Sequence, residues 1–217
     1  WVYLGPPSLA HTVGYSHPHY GKSGLERAFN GELLGTVAGA GVGRLLDKAM
    51  GRSLAGWDVV TTIDLEAQKA AERALGGRKG AMVVVDPGDG SILAMASFPS
   101  FDPNRLDGSV MEGDSREGPL FNRATMGQYP PGSAFKPVVL AAALESRAAG
   151  PDFVFDDRGH VTIGGRRIEN AAGTSYGPLA LDDALAVSSN AAFAHLAAET
   201  GPRALIETAW ALGLGMR

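Results

Sequence analysis

Two apolar runs, Gly80-Ala81-Met82-Val83-Val84-Val85 and Ser91-Ile92-Leu93-Ala94-Met95-Ala96, stand on either side of Asp86-Pro87-Gly88-Asp89-Gly90. Strand formers around a Pro/Asp/Gly turn predict a β-hairpin, because these turn residues favour the dihedrals that a chain reversal needs. The scarcity of polar residues in either run predicts a sheet covered on both faces. Upstream, Val59-Val60-Thr61-Thr62-Ile63 reads as a β-branched strand. Asp64 is placed to cap a helix over residues 65–75, with Leu65, Ala67, Ala70, Ala71, Ala74 and Leu75 as its apolar face.

The chain has 217 residues, enough for a substantial core, and is 45% hydrophobic and 19% charged, a globular composition and not a disordered one. Its net charge of −4 gives no basic field for nucleic acid. The absence of cysteine excludes disulfides, thiol catalysis and cysteine-based zinc sites. No run approaches the ~18 apolar residues of a membrane span. Residues 1–56 are rich in Gly, His and Pro, with short helices expected over 24–30 and 44–50, and read as a connector or the end of a preceding module. At Trp57 the texture changes, so the boundary is expected there, with a second region over 57–217. Downstream, a helix continues through residues 137–145, a small hairpin is expected around Gly164-Gly165, and helices return from Leu181, Ala191 and Pro202.

Within the second region, Tyr129-Pro130-Pro131-Gly132 leads into Ser133-Ala134-Phe135-Lys136-Pro137. A serine and a lysine three positions apart share one face of a helix. Serine needs a neighbouring base to become nucleophilic, and a lysine whose pKa is lowered by burial can be that base. The first N–H groups of a helix starting at Ser133 have no intrahelical partner, so they favour negative charge beside the serine oxygen. By itself the pattern also fits a serine cap followed by a solvated lysine. Ser188-Ser189-Asn190, between two expected helices, can present a hydroxyl and a carboxamide to a cleft, or can simply cap the helix that follows.

Together these segments resemble the transpeptidase domain of penicillin-binding proteins. The resemblance extends through Val60-Thr61-Thr62-Ile63-Asp64, the hairpin, Phe121-Asn122-Arg123-Ala124 and Tyr176-Gly177-Pro178-Leu179. Phe98-Pro99-Ser100-Phe101-Asp102-Pro103-Asn104 looks more like the class B, monofunctional enzymes, and Tyr20-Gly21-Lys22-Ser23-Gly24 resembles the end of the class B N-terminal module. The resemblance implies an α+β, serine β-lactamase-like fold with a sheet flanked by helices and a short N-terminal pedestal remnant. It implies Ser133 as the acylated nucleophile, Lys136 as its base, Ser188 as proton shuttle, and Asn190 as the holder of Lys136 and of the substrate's amide. The implied substrate is a peptidoglycan stem peptide ending in D-Ala-D-Ala, with β-lactams acylating the same serine and no metal or organic cofactor. Implied partners are a glycosyltransferase or division and elongation proteins, at the extracytoplasmic face of the cell membrane with an anchor upstream of this chain.

The family's third motif, Lys-Thr/Ser-Gly on a strand, is not found after Asn190. The chain therefore reads as part of a longer protein, inactive alone and poorly stable because its sheet would expose an edge. Two other readings belong beside the transpeptidase: a β-lactamase or β-lactam sensor, and a non-catalytic scaffold for cell-wall partners. Lys22-Ser23-Gly24 precedes the serine and runs into a helix start, so it is not the missing motif. The same residues lack the first glycine of a phosphate loop, and Gly39-Ala40-Gly41-Val42-Gly43 ends in Arg44 where a dinucleotide turn needs glycine. His17-Pro18-His19 has no third ligand nearby and reads as a surface turn, and His195 as a packed core histidine.

Overall fold

In the computed structural model, which describes residues 2–36, 50, 56–111 and 118–215, the chain divides into two units, Trp1–Gln128 and Tyr129–Arg217. The first unit opens with helix α1 (Ala10–Val13), a small antiparallel pair β1 (Ser16–His17) and β2 (Gly21–Lys22), and helices α2 (Gly24–Ala28) and α3 (Asn30–Leu33). The single helix expected over 24–30 is thus split: Phe29, at φ −108° and ψ 26°, leaves helical geometry between the two pieces. Residues 44–49 of the helix expected over 44–50, and the Gly39–Gly43 turn, lie outside the described residues, and Met50 is in a turn. Among its described residues this segment has no core of its own. Ala10 and Tyr15 pack with Phe101, flanked by Leu106 and Leu120.

Helix α4 (Leu65–Leu75) begins where the sequence places it, with the Asp64 side chain accepting from Ala67 N at 2.8 Å. Strands β3 (Gly80–Val85) and β4 (Ile92–Phe98) pair antiparallel around a turn in which Asp86 accepts from Gly88 N and Asp89 from Ser91 N, each at 2.8 Å. Ala67, Ala71 and Leu75 pack on Met82, Val84, Ala94 and Ala96. The apolar face differs from expectation, since Leu65, Ala70 and Ala74 are exposed and the fully buried Gln68 stands among the packing residues. The expectation of full cover also fails on β3. Its Val83 and Val85 are 43% and 50% exposed, because α4 lies on the Met82–Val84 side.

The segment 59–63 is extended but is not a strand. The register between β3 and β4 shifts after Val84, leaving Leu93 as the extra residue of a bulge. The carbonyls of Leu93 and Ile92 then accept from Asp64 N (2.9 Å) and Thr62 Oγ1 (2.8 Å). Two bonds anchor the segment to β4 without building a ladder, and Val60 remains 93% exposed. Helix α5 (Gly108–Met111) is the last element among the described residues of this unit.

The second unit opens with helix α6 (Lys136–Glu145), followed by strands β5 (Val154–Asp157), β6 (His160–Ile163), β7 (Arg166–Glu169) and β8 (Gly177–Ala180). Helices α7 (Leu181–Ala186), α8 (Asn190–Thr200) and α9 (Pro202–Ala211) complete it. The hairpin expected around Gly164-Gly165 is β6–β7, its two glycines at φ +56° and +78°. The β5–β8 pair, joining Val154 to Ala180 and Asp157 to Gly177, had no counterpart in the sequence reading. Val139 and Ala143 of α6 meet Ala192, Phe193 and Leu196 of α8 in the core. Burying a side chain such as Phe193 or Leu196 contributes about 1.5–3 kcal/mol, and the small alanines let the two helices approach closely. No helix among the described residues is long and apolar enough to cross a membrane.

Candidate active site

Ser133 sits in a single 3-10 turn, Gly132–Phe135, that runs directly into α6. Gly132 initiates the turn at φ +56°, a conformation that a residue with a Cβ rarely adopts. Lys136 N–H donates to the Ser133 carbonyl, which closes the turn. The serine–lysine spacing predicts an α-helical start, and the structure has a 3-10 turn instead. The tighter 3-10 turn still serves, because side chains at i and i+3 eclipse there. Pro137 falls in the first turn of α6, where a missing N–H breaks no helical bond. Ser133 itself is exposed, while Lys136 is 8% exposed.

Lys136 Nζ donates to three oxygens: the Ser188 carbonyl at 2.5 Å, Ser188 Oγ at 2.9 Å and Asn190 Oδ1 at 2.8 Å. It also lies 5.7 Å from the centre of the buried Phe193 ring, in cation–π range. Burial holds the Lys136 pKa below the ordinary lysine value. The three acceptors satisfy the ammonium when it is charged, while burial favours the neutral amine that can act as a base. Of the four residues expected in the site, the structure thus brings Lys136, Ser188 and Asn190 into direct contact. Ser133 is one turn away, and among the described residues its hydroxyl makes no hydrogen bond to them.

The geometry of Ser188 was not legible in sequence. Ser188 N donates to Leu185 O and Ser189 N to Ala184 O, each at 3.0 Å, the paired bonds of a Schellman turn ending α7. Ser188 occupies the left-handed position of that motif, φ +55°, where glycine is usual. A serine there carries about 1–3 kcal/mol of backbone strain. In return its carbonyl and hydroxyl both face Lys136. Asn190 begins α8, and its Nδ2 donates to Glu169 O at 3.0 Å, which fixes the carboxamide with its oxygen toward Lys136. Ser189 caps α8, its Oγ accepting from Ala192 N at 2.9 Å. The capping reading of this tripeptide is therefore met by Ser189, while Ser188 and Asn190 turn to Lys136.

The remaining candidates resolve as local structure. Lys22 ends β2 and bonds Asn30 Oδ1, with Gly24 already in α2. His17 Nδ1 accepts from the N–H groups of His19 and Tyr20 in a surface turn. His195 is half-buried, its ring 5.3 Å from Phe155 and 6.3 Å from Phe153.

A buried lysine one turn after a serine, facing a serine and an asparagine, is the arrangement that the penicillin-binding-protein resemblance implies. Residues 80–217, well over half of the chain, match the penicillin binding protein transpeptidase domain. The chain is 36% identical to the peptidoglycan D,D-transpeptidase PbpA of Mycolicibacterium smegmatis, over 98% of its own length and 47% of the relative's. It is 33% identical to the peptidoglycan D,D-transpeptidase MrdA of Haemophilus influenzae, over 90% of this chain and 32% of that one. Among solved structures it is similar to penicillin-binding protein A of M. tuberculosis in an imipenem acyl-enzyme complex, with a TM-score of 0.86 and 34% identity, covering 99% of this chain and 53% of that one. A D,D-transpeptidase domain from Eggerthella lenta gives a TM-score of 0.81 and 38% identity, covering 99% and 48%. The chain belongs to the penicillin-binding protein transpeptidase family, and its fold is the corresponding part of that α+β domain. It spans about half the length of the PbpA relatives it matches.

Proposed function

We propose that this chain carries the nucleophile half of the active site of a class B penicillin-binding protein, a serine D,D-transpeptidase of peptidoglycan. The observation that carries the reading is the convergence of the buried Lys136 Nζ on Ser188 and Asn190, one turn after an exposed serine. Ser133 Oγ attacks the penultimate carbonyl of a stem peptide ending in D-Ala-D-Ala, and its proton passes to Lys136. The exposed Ser133 side chain is free to rotate toward Lys136 for that transfer. The peptide C–N bond then breaks, and the departing D-Ala nitrogen takes a proton relayed through Ser188 Oγ, already 2.9 Å from Lys136. An amine from a neighbouring stem attacks the acyl-enzyme carbonyl, and the bond from the acyl carbon to Ser133 Oγ breaks. The amine's proton returns to Ser133 Oγ along the same path, and the new amide is the cross-link. Asn190 Nδ2 has a second N–H beyond the one given to Glu169, suited to the acyl-side amide carbonyl of the substrate.

β-Lactams would acylate Ser133 by the same chemistry. In support, the M. tuberculosis relative has been captured as imipenem, ceftriaxone and penicillin G acyl-enzymes. A similar structure that reports coordination of polymerisation and cross-linking in a peptidoglycan synthase complex supports a glycosyltransferase partner. Cross-linking chemistry of this kind supports a site at the extracytoplasmic face of the cell membrane. Ser133→Ala tests the assignment in the full-length protein that carries this chain. It should abolish labelling by a fluorescent penicillin while the far-UV and near-UV circular dichroism stay unchanged. Persistent labelling would refute the nucleophile.

A further inference from the structure

Behind the Lys136 acceptors lies a second polar cluster that the proton path does not touch. Asp157, at the end of β5, is fully shielded from solvent. Its carboxylate accepts from Gly159 N at 2.7 Å, from Asn170 Nδ2 at 2.9 Å on each oxygen, and from Ser189 Oγ at 2.6 Å. Burial alone would push its pKa up, but the bonds from Ser189, Asn170 and Gly159 outweigh that and hold it below the usual aspartate value. Asp157 is therefore a buried anion whose hydrogen bonds come from three separate loops.

Two of those donors tie it to the loop that faces Lys136. The Ser189 hydroxyl donates to Asp157 and accepts from Ala192 N at 2.9 Å, in the first turn of α8. Asn170 Nδ2 donates to Asp157 while its Oδ1 accepts from Ala191 N at 3.0 Å. Ser189 lies between Ser188, held in a strained left-handed turn, and Asn190, the first residue of α8. A negative charge beside the start of this 11-residue helix is also favoured by its dipole. The surroundings are shaped for the arrangement. Gly159 stands at φ +82°, and a Cβ there would come within 2.5 Å of the Gly173 carbonyl, so its N–H reaches Asp157 only because it is glycine.

We propose that Asp157 is a positioning residue for the acyl-transfer site. Through Ser189 and Asn170 it holds Ser188 in its left-handed turn and Asn190 at the head of α8, so that their oxygens converge on Lys136. This rests on the proposed acyl transfer, and the test separates the two. In the full-length protein, penicillin acylation is followed by stopped flow or rapid quench, giving a burst amplitude and an acylation rate constant. A purely structural residue lowers the amplitude, because fewer molecules are folded, and leaves the rate constant of the remainder unchanged. Asp157→Asn keeps the side-chain shape but has one carbonyl oxygen, so it cannot accept from both Gly159 N and Ser189 Oγ, which use different oxygens of the carboxylate. It should keep near-full amplitude and lose about ten- to a hundredfold in the rate constant, the scale of an ångström-level misplacement of reacting groups. Ser189→Ala cuts one of the two ties while leaving Asp157 bonded to Asn170 and Gly159, and should lower the rate constant in the same direction if Asp157→Asn does not fold. An unchanged rate constant in a variant that folds overturns the proposal. Absence of any acylation in the wild-type protein overturns the transpeptidase reading itself.

Discussion

Gln68 in the first unit and Asp157 in the second are both completely shielded from solvent, and both are saturated with hydrogen bonds. Gln68 imitates a strand: its Oε1 accepts from Met95 N at 2.8 Å and its Nε2 donates to Met95 O at 3.0 Å and to Ser8 Oγ at 3.0 Å. The amide is neutral, and its effect ends with the docking of α4 on β4. Asp157 is an anion and draws its donors from the loops after β5 and β7 and before α8. The loop before α8 also carries Ser188 and leads into Asn190, the groups that face the buried Lys136. The same degree of burial thus serves attachment in one unit and alignment of charge in the other. Local backbone mimicry fixes an element, whereas a buried charge fixes whatever surrounds it.

Three substitutions or titrations sharpen this contrast. The largest effect is expected from Lys136→Met, which removes the base but retains an apolar stem beside Phe193. Penicillin acylation should fall about 10²–10⁴-fold, the usual range for loss of a general base, while denaturant unfolding moves little because Ser188 is exposed and can turn to water. Acylation within tenfold of wild type would place the base elsewhere. Gln68→Leu should do the reverse. It orphans Met95 N–H and C=O and removes the donor to Ser8 Oγ, and the two backbone groups alone cost about 2–6 kcal/mol at roughly 1–3 kcal/mol for each unpaired group. The acylation rate constant of the molecules that remain folded should not change, and a changed constant would break the division of labour.

The smallest effect concerns acid. Asp157 has a lower pKa in the fold than in the unfolded chain, so the unfolded state binds the proton more readily. Its stabilising contribution is complete above the unfolded aspartate value of about 3.9 and is lost as the pH falls below that, through the folded pKa. Denaturant unfolding as a function of pH should therefore steepen below about pH 4 in the wild type. The slope should be shallower in Asp157→Asn, and equal slopes would contradict the assignment of Asp157 as a buried anion.

The parts legible in the sequence are those set by neighbours along the chain. The Asp64 cap, the β3–β4 turn and the Gly164-Gly165 hairpin were each readable because Asp, Pro and Gly act within a few residues. Ser133 and Lys136 were legible by spacing, and their association with Ser188 and Asn190 by resemblance. What was not legible is non-local. Segment 59–63 has a strand's composition, yet a bulge at Leu93 decides that it receives two bonds and not a ladder. The Asp157–Asn170–Ser189 cluster joins residues whose separate identities carry no signal, and the left-handed Ser188 is disguised by a Schellman turn without its glycine. A serine or asparagine where that motif wants glycine, just ahead of a helix cap, is the one sequence sign that could have marked the strain.

The central claim, that this chain supplies the serine that becomes acylated beside a buried lysine, is tested most directly by mass-spectrometric peptide mapping of the full-length protein after reaction with penicillin G. The account expects one penicilloyl adduct on the peptide that contains Ser133, absent from Ser133→Ala. An adduct on Ser188 or Ser189, or one that persists in Ser133→Ala, would contradict it.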